Sequence, residues 1–130
     1  MPRDAPRLSD RPEKESAAAE RERVYRCARC RVLVTRGRWE MAMDGAHERS
    51  VFNPAGLVFR IACFREAPGV AEFGASSTEF TWFRGYAWTI GLCRSCGVHL
   101  GWRYEGSLEP AVFYGLVRAR LVVQEEGPDG

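Results

Sequence analysis

Between Tyr25 and Val122 the apolar residues fall in short runs rich in β-branched and aromatic side chains, broken repeatedly by Gly, Pro, Asn and Asp. That pattern predicts strands joined by tight turns. Strands are expected at Tyr25–Cys27, Val32–Thr35, Ser50–Asn53, Leu57–Phe64, Ala71–Gly74, Ala87–Leu92, Leu100–Glu105 and Ala111–Val117. Asn53-Pro54-Ala55-Gly56, Pro68-Gly69 and Arg84-Gly85 are the clearest turn signals between them. Leu116–Val122 is the one helical candidate in this span, a turn or two long. A mainly β domain over residues 24–123 is the resulting expectation.

The flanks lack such runs. Residues 1–23 alternate charges with prolines and form no apolar face, so a solvated, disordered tail is expected, with at most a transient helix at Ser16–Arg23. Residues 124–130, ending EEGPDG, read the same way.

Composition narrows the function classes. The 130 residues suit one domain. Net charge is +2, and leaving out the first 24 and last six residues raises it only to +5, spread over scattered arginines. A nucleic-acid binder more often shows a basic stripe. The charged start has no apolar core of a secretory signal, and no stretch has the length and apolarity of a membrane span. The cytoplasm is the expected compartment, where paired cysteines serve as metal ligands more often than as disulfides.

Five cysteines are present, and four form two C-x-x-C pairs, Cys27-Ala-Arg-Cys30 and Cys93-Arg-Ser-Cys96, with 62 residues between the pairs. Each pair can offer both sulfurs to one ion from a tight turn, and two such turns complete a tetrathiolate zinc site. One structural Zn2+ per chain is therefore expected, closing a large loop. Four thiolates leave no position open for substrate, so the ion would not be catalytic. His99 follows Cys96 by three residues and is expected to be packed or at the surface rather than a ligand; His47 is expected in solvent. Cys63 sits in an apolar strand and has the surroundings of an inert buried thiol.

Three of the four tryptophans flank the second knuckle: Trp82 and Trp88 precede it and Trp102 follows. Trp102 and Tyr104 are two apart in a predicted strand and so share a face. Trp82 and Trp88 lie on either side of Arg84-Gly85, where a hairpin would present both rings together, and Gly85 and Gly101 would leave room for backbone or ligand beside them. These aromatics read either as ordinary core or as the walls of a slot, and composition alone favours core.

The run TEFTWFRGYAWTIGLCRSCGVHLGWRY, with VFNPAGLVF and the early C-x-x-C, resembles the CULT domain, the thalidomide-binding region of cereblon, and looks most like its stand-alone bacterial form. The resemblance spans about Tyr25 to Val122. It implies a β-tent of two antiparallel sheets pinned by the four-cysteine zinc site. It also implies a cage of Trp82, Trp88 and Trp102 with Tyr104 at its floor or rim, into which a cyclic imide ring enters edge-on. The ring's polar edge would meet the backbone of Phe80 and the N–H of Trp82, and Asn53 and Pro54 would line the entrance. Uridine-like rings and peptides ending in a cyclic imide are the natural ligands so implied. Phe80 stands where animal cereblon has a histidine, and Arg84 where it has a proline. The chain is also too short for full-length cereblon's protease-like domain and ligase-docking region, so the resemblance implies ligand binding and no ubiquitin-ligase docking.

Three function classes follow. The first is a non-catalytic binding module for a small cyclic imide or uridine-like ligand. The second is an oxidoreductase of the methionine sulfoxide reductase type, which would rest on Cys63 with no second free thiol to resolve it. The third is a zinc-ribbon nucleic-acid binder leaning on Arg26, Arg29, Arg31, Arg36 and Arg38, a group that reads more simply as a solvated face. Glu79 beside the tryptophans also leaves room for a cation held by ring faces.

Overall fold

A computed structural model describes residues 22–126. They form two antiparallel sheets. The smaller contains β1 (Glu22–Cys27), β2 (Leu33–Arg36) and β9 (Leu121–Glu126), in the order β2-β1-β9. The larger contains β3 (Glu48–Phe52), β4 (Val58–Phe64), β5 (Val70–Ser77), β6 (Tyr86–Cys93), β7 (His99–Gly106) and β8 (Val112–Val117), in the order β3-β4-β8-β7-β6-β5. The mainly β, two-sheet architecture expected from the sequence is thus present.

Alternation along the central strands explains how the larger sheet carries two cores. On β4, Ala62 and Phe64 join Tyr25, Val34 and Leu121 of the smaller sheet, while Ile61 and Cys63 point the other way, toward Tyr86, Tyr104 and Phe113. β8 divides likewise, with Leu116 in the first core and Phe113 and Val117 in the second. Strands buried on both faces need an almost continuous apolar run, as in VFRIACF and VFYGLV. The first core welds the sheets together. The second is the bed on which the tryptophans lie.

One irregularity lets β7 serve both. Gly91 pairs with Gly101 but Leu92 pairs with His99, which leaves Leu100 as an extra, unpaired residue. Such a bulge flips the side-chain alternation. Leu100 therefore enters the first core, although Trp102 and Tyr104, at the same parity, lie on the second.

Several expectations need correction. Leu116–Val122 is not a helix: β8 ends at Val117, a single 3-10 turn covers Arg118–Arg120, and β9 follows. The strand-like Leu121-Val122-Val123 run was masked by the short turn before it. Pairing of β1 with β9 also runs out to Glu22↔Glu126, beyond the bounds 24 and 123. The remainder of the expected N-terminal tail and its transient helix lie outside the described residues, as do residues 127–130. His47 is not in open solvent. Its ring meets Phe64 edge-on at 5.3 Å, Nδ1–H donates to the Met41 carbonyl at 3.0 Å, and Nε2 is buried without a partner among the described residues.

Gly101 is required by close strand approach, not by a ligand. A Cβ there would lie 2.2 Å from the Gly115 carbonyl oxygen and 2.7 Å from Leu116 Cα. Gly85, at φ +92°, is crowded by Leu108, 2.7 Å from where its Cβ would be. Neither glycine leaves space beside the rings. Gly101→Ala is expected to lower stability by about 1–3 kcal/mol, because rigid backbone on β8 cannot move aside; a thermal or urea melt checks this.

Candidate functional site: a four-sulfur cluster and an aromatic-walled pocket

Cys27 ends β1 in the smaller sheet and Cys93 ends β6 in the larger, and each is followed by a tight turn carrying its partner. The four sulfurs of Cys27, Cys30, Cys93 and Cys96 all lie within 4.8 Å of one another. Cys27 and Cys96 are 3.8 Å apart, and Cys30 and Cys93 are 3.6 Å apart. Ligands at about 2.3 Å from a tetrahedral ion stand about 3.8 Å from each other, so the four can share one metal ion. The Arg29 and Cys96 backbone N–H groups donate to Cys27 Sγ and Cys93 Sγ, each at 3.4 Å.

The thiols of the cluster are shifted in opposite directions. The Val32 backbone N–H holds the Cys30 thiol down at about 7. The Val98 N–H acts likewise on Cys96, yet burial and the three neighbouring sulfurs push that thiol up to about 11. Four thiolates do not coexist at this spacing without a positive ion among them.

The second feature is a pocket of about 190 Å³ lined by Asn53, Pro54, Glu79, Phe80, Trp82, Trp88, Trp102 and Tyr104. The structure thus brings all seven sequence-selected residues to one hollow and adds Glu79. Register accounts for three of them: Trp88 lies opposite Tyr104 on β6 and β7, and Ile90 lies opposite Trp102, so these side chains share a face. Trp82 comes from the loop between β5 and β6, and its ring meets Trp102 edge-on, with centroids 4.9 Å apart and planes at 88°.

Two indole N–H groups are tied to loop carbonyls. Trp82 Nε1 donates to the Phe52 carbonyl at 2.7 Å, linking its loop to the end of β3, and Trp88 Nε1 donates to the Glu79 carbonyl at 2.8 Å. These bonds fix the rings. Asn53 stabilises the neighbouring hairpin by accepting from the Leu57 N–H at 2.9 Å through Oδ1.

Tyr104 is the floor, only 1% exposed, stacked on Phe113 with centroids 4.9 Å apart and met edge-on by Phe83. Burial holds its phenol far above the usual range, so it stays neutral. Phe80 is the opposite case: its ring is 70% exposed and its backbone sits at φ +55°, a region aromatic residues rarely adopt. Among the described residues, neither the Phe80 carbonyl nor the Trp82 backbone N–H has a hydrogen-bond partner.

Two further residues support the pocket: Phe59, which the sequence reading did not single out, and His99, which it expected to be packed or at the surface. Phe59 of β4 packs on Trp82 and Trp102, with centroids at 6.2 and 5.9 Å. His99 meets Trp102 edge-on at 4.9 Å, and its Nε2–H donates to the Gly101 carbonyl at 2.9 Å. Burial lowers the His99 pKa, so the ring is held neutral. Only the bulge at Leu100 puts His99 on the Trp102 side, and nothing in the spacing of the sequence announces a bulge.

No family model matches the chain. It is 40% identical over 80 residues to the protein cereblon of Xenopus tropicalis, a stretch that covers 59% of this chain and 18% of the frog protein. Identity to cereblon of Danio rerio is 39% over 85 residues, covering 60% of the chain and 20% of the fish protein. The Gallus gallus protein gives 40% over 73 residues, 54% of the chain and 16% of the relative. The domain is cereblon-like. This cereblon-like domain therefore corresponds to less than a quarter of each of these relatives. Neither the reductase nor the nucleic-acid alternative gains support. Cys63 is fully buried and burial pushes its thiol up to about 11, whereas an attacking thiol needs access and a lowered value. Arg26 pairs with Glu126 at 2.7 Å, and Arg36 and Arg38 both pair with Glu22, at 3.3 and 2.8 Å, which leaves less of that basic group free for phosphates.

Metal removal gives the direct test of the cluster. Elemental analysis is expected to find one divalent ion per chain, and a strong chelator is expected to unfold the domain, since such an ion contributes on the order of 10 kcal/mol to apparent folding free energy. Retention of the melting temperature after complete removal of the ion would contradict this role.

Proposed function

We propose that this chain is a non-catalytic binding module in which a zinc-pinned aromatic cage holds the ring of a small cyclic imide. The observation that carries the reading is the pocket itself. Three indole walls and a neutral phenol floor enclose a hollow of about 190 Å³, and cavities of about 150 Å³ accept one benzene-sized ring.

The chemistry of the lining fits an imide better than a plain apolar ring. Burying an unpaired amide costs roughly 1–3 kcal/mol, so a ligand with one polar edge needs partners waiting there. The Phe80 carbonyl can accept from an imide N–H, and the Trp82 backbone N–H can donate to an imide carbonyl. Both groups are free of other bonds among the described residues. The ring's polarised C–H groups then face the indoles. Because both loops are pinned in advance by the Trp82 and Trp88 hydrogen bonds, little ordering is needed on binding. Uridine-like pyrimidines and peptides ending in a cyclic imide present the same edge and are the candidate natural ligands.

Zinc is the proposed ion, since a closed tetrathiolate set is its usual structural site. Its proposed work is to position strands rather than to take part in chemistry. A reducing compartment such as the cytoplasm suits four free thiols. Among the described residues no helix is long and apolar enough to cross a membrane.

A quaternary ammonium ligand would also find ring faces, with Glu79 beside them. It has no use for the free Phe80 and Trp82 backbone groups, and for that reason the imide is preferred.

Titration of tryptophan fluorescence with glutarimide and with uridine is expected to give saturable quenching, and a choline-type cation is expected to give none. Quenching by the cation alone would overturn the reading. Trp88→Ala and Trp102→Ala are each expected to weaken glutarimide binding by about 30-fold or more while the metal content stays at one ion per chain. Loss of metal together with binding would show the rings to be core. Cys63→Ser is expected to leave glutarimide binding in place; a sulfoxide-reducing activity that vanished in this variant would instead favour an enzyme.

A further inference from the structure

A second hollow lies beside the four-sulfur cluster and shares no lining residue with the aromatic pocket. It is shallow, about 280 Å³ in volume, and lined by Val32, Leu33, Pro68, Gly69, Arg94 and Ser95. Both knuckles build it. Val32 and Leu33 follow Cys30, Arg94 and Ser95 stand between Cys93 and Cys96, and the Pro68-Gly69 turn before β5 closes the remaining side. Imide binding makes no use of it.

Arg94 is its one charged lining residue, and the guanidinium is fixed in place. The Arg94 backbone N–H donates to the Gly69 carbonyl at 2.9 Å, Nε to the Pro68 carbonyl at 3.0 Å and Nη2 to the Val70 carbonyl at 2.8 Å. Carbonyl oxygens orient the group without cancelling its charge, and Nη1 keeps its N–H groups free of partners among the described residues. The result is an oriented cation with little ordering cost left to meet, beside apolar Val32, Leu33 and Pro68.

The surroundings are short of acid. No aspartate or glutamate occurs in 23–39, 80–104 or 110–124, which carry both knuckles and the 3-10 turn beside the first. Arg120 of that turn belongs to this end of the domain, since its carbonyl accepts from the Ala28 N–H at 3.0 Å. Arg29, Arg31, Arg94 and Arg120 have no carboxylate partner among the described residues, whereas Arg23, Arg26, Arg36 and Arg38 each have one. Four thiolates around a divalent ion leave a formal charge of about −2, which these four arginines outweigh. Glu66 is the acid nearest the hollow along the chain, and Arg65 stands next to it.

We propose that this hollow is a docking site for an acidic protein segment, which places a carboxylate on Arg94 and an apolar side chain against Val32, Leu33 and Pro68. A guanidinium with a free edge suits a carboxylate, and the apolar bed beside it suits a neighbouring aliphatic side chain. Nucleic acid fits less well. Its evenly spaced phosphates call for cations in a row, and its bases for aromatic rings, whereas this lining has one arginine and no aromatic side chain.

The test uses the metal-loaded full chain and a short, capped, fluorescently labelled peptide of alternating glutamate and leucine, read by anisotropy at low salt. Saturable binding is expected, weaker by about 10-fold or more when glutamine replaces the glutamates and by about 5-fold when serine replaces the leucines. Glutarimide is expected not to compete. Arg94→Gln is expected to weaken peptide binding by about 10-fold or more. Because Arg94 also ties the Pro68 turn, Val32→Asp gives an independent reading. Val32 is 36% exposed, so this change sets a carboxylate in the hollow without opening the core, and it is expected to cost as much binding while metal content and melting temperature stay those of wild type. Absence of binding to the glutamate–leucine peptide, or binding untouched by Val32→Asp, would overturn the proposal. So would tighter binding of poly-uridylate RNA that is lost in the same variants, which would make this a phosphate site.

Discussion

Convergence of four sulfurs is the constraint on which the rest of this domain depends. Cys27 belongs to the smaller sheet and Cys93 to the larger, so an ion shared between their turns would tie the two sheets at one point. A domain of this size buries a modest core, and a tie of this kind compensates for it. The same tie sets where β7 begins, because the turn after Cys93 feeds directly into His99 and Leu100. The bulge at Leu100 then decides which side chains go to which core. Trp102 and Tyr104 reach the pocket because Leu100 takes the first core.

The pocket is held by different means from the fold. Its walls are not locked by deep burial, since Trp82, Trp88 and Trp102 are each only partly buried. They are locked by hydrogen bonds to main-chain carbonyls at Phe52 and Glu79, and by edge contacts from Phe59 and His99. A carbonyl bound to an indole N–H orients the ring without occupying its faces. The strained φ of Phe80 lies in the same loop, directly after Glu79, whose carbonyl orients Trp88.

Much of this was legible in the sequence, and the reasons are local. C-x-x-C turns declare their geometry within four residues, and the parity of Trp102 and Tyr104 declares a shared face within three. The strands of the larger sheet carry apolar runs long enough to recognise. Illegible were features that depend on partners distant along the chain. β9 is short and follows a 3-10 turn, and it is a strand because β1 lies beside it over Glu22 to Cys27. His47 looked solvated in a Gly-Ala-His-Glu loop, yet Phe64 covers its ring. Phe59 and His99 carry no motif of their own, and their roles come from packing against the tryptophans.

Attachment of β6 to the four-sulfur cluster also bears on why so small a domain can keep an open hollow. An unfilled apolar cavity forfeits contacts that neighbouring side chains would otherwise make, and a loosely held sheet would collapse into it. Collapse here would require β6 and β7 to slide relative to β8. Gly101 against Gly115 leaves no room for such movement, with backbone 2.2 Å from where a Cβ would stand, and β6 ends in the four-sulfur cluster at Cys93. Trp102 cannot tilt inward without breaking its edge contacts with Trp82, Phe59 and His99 together. The hollow persists because the elements around it are committed elsewhere.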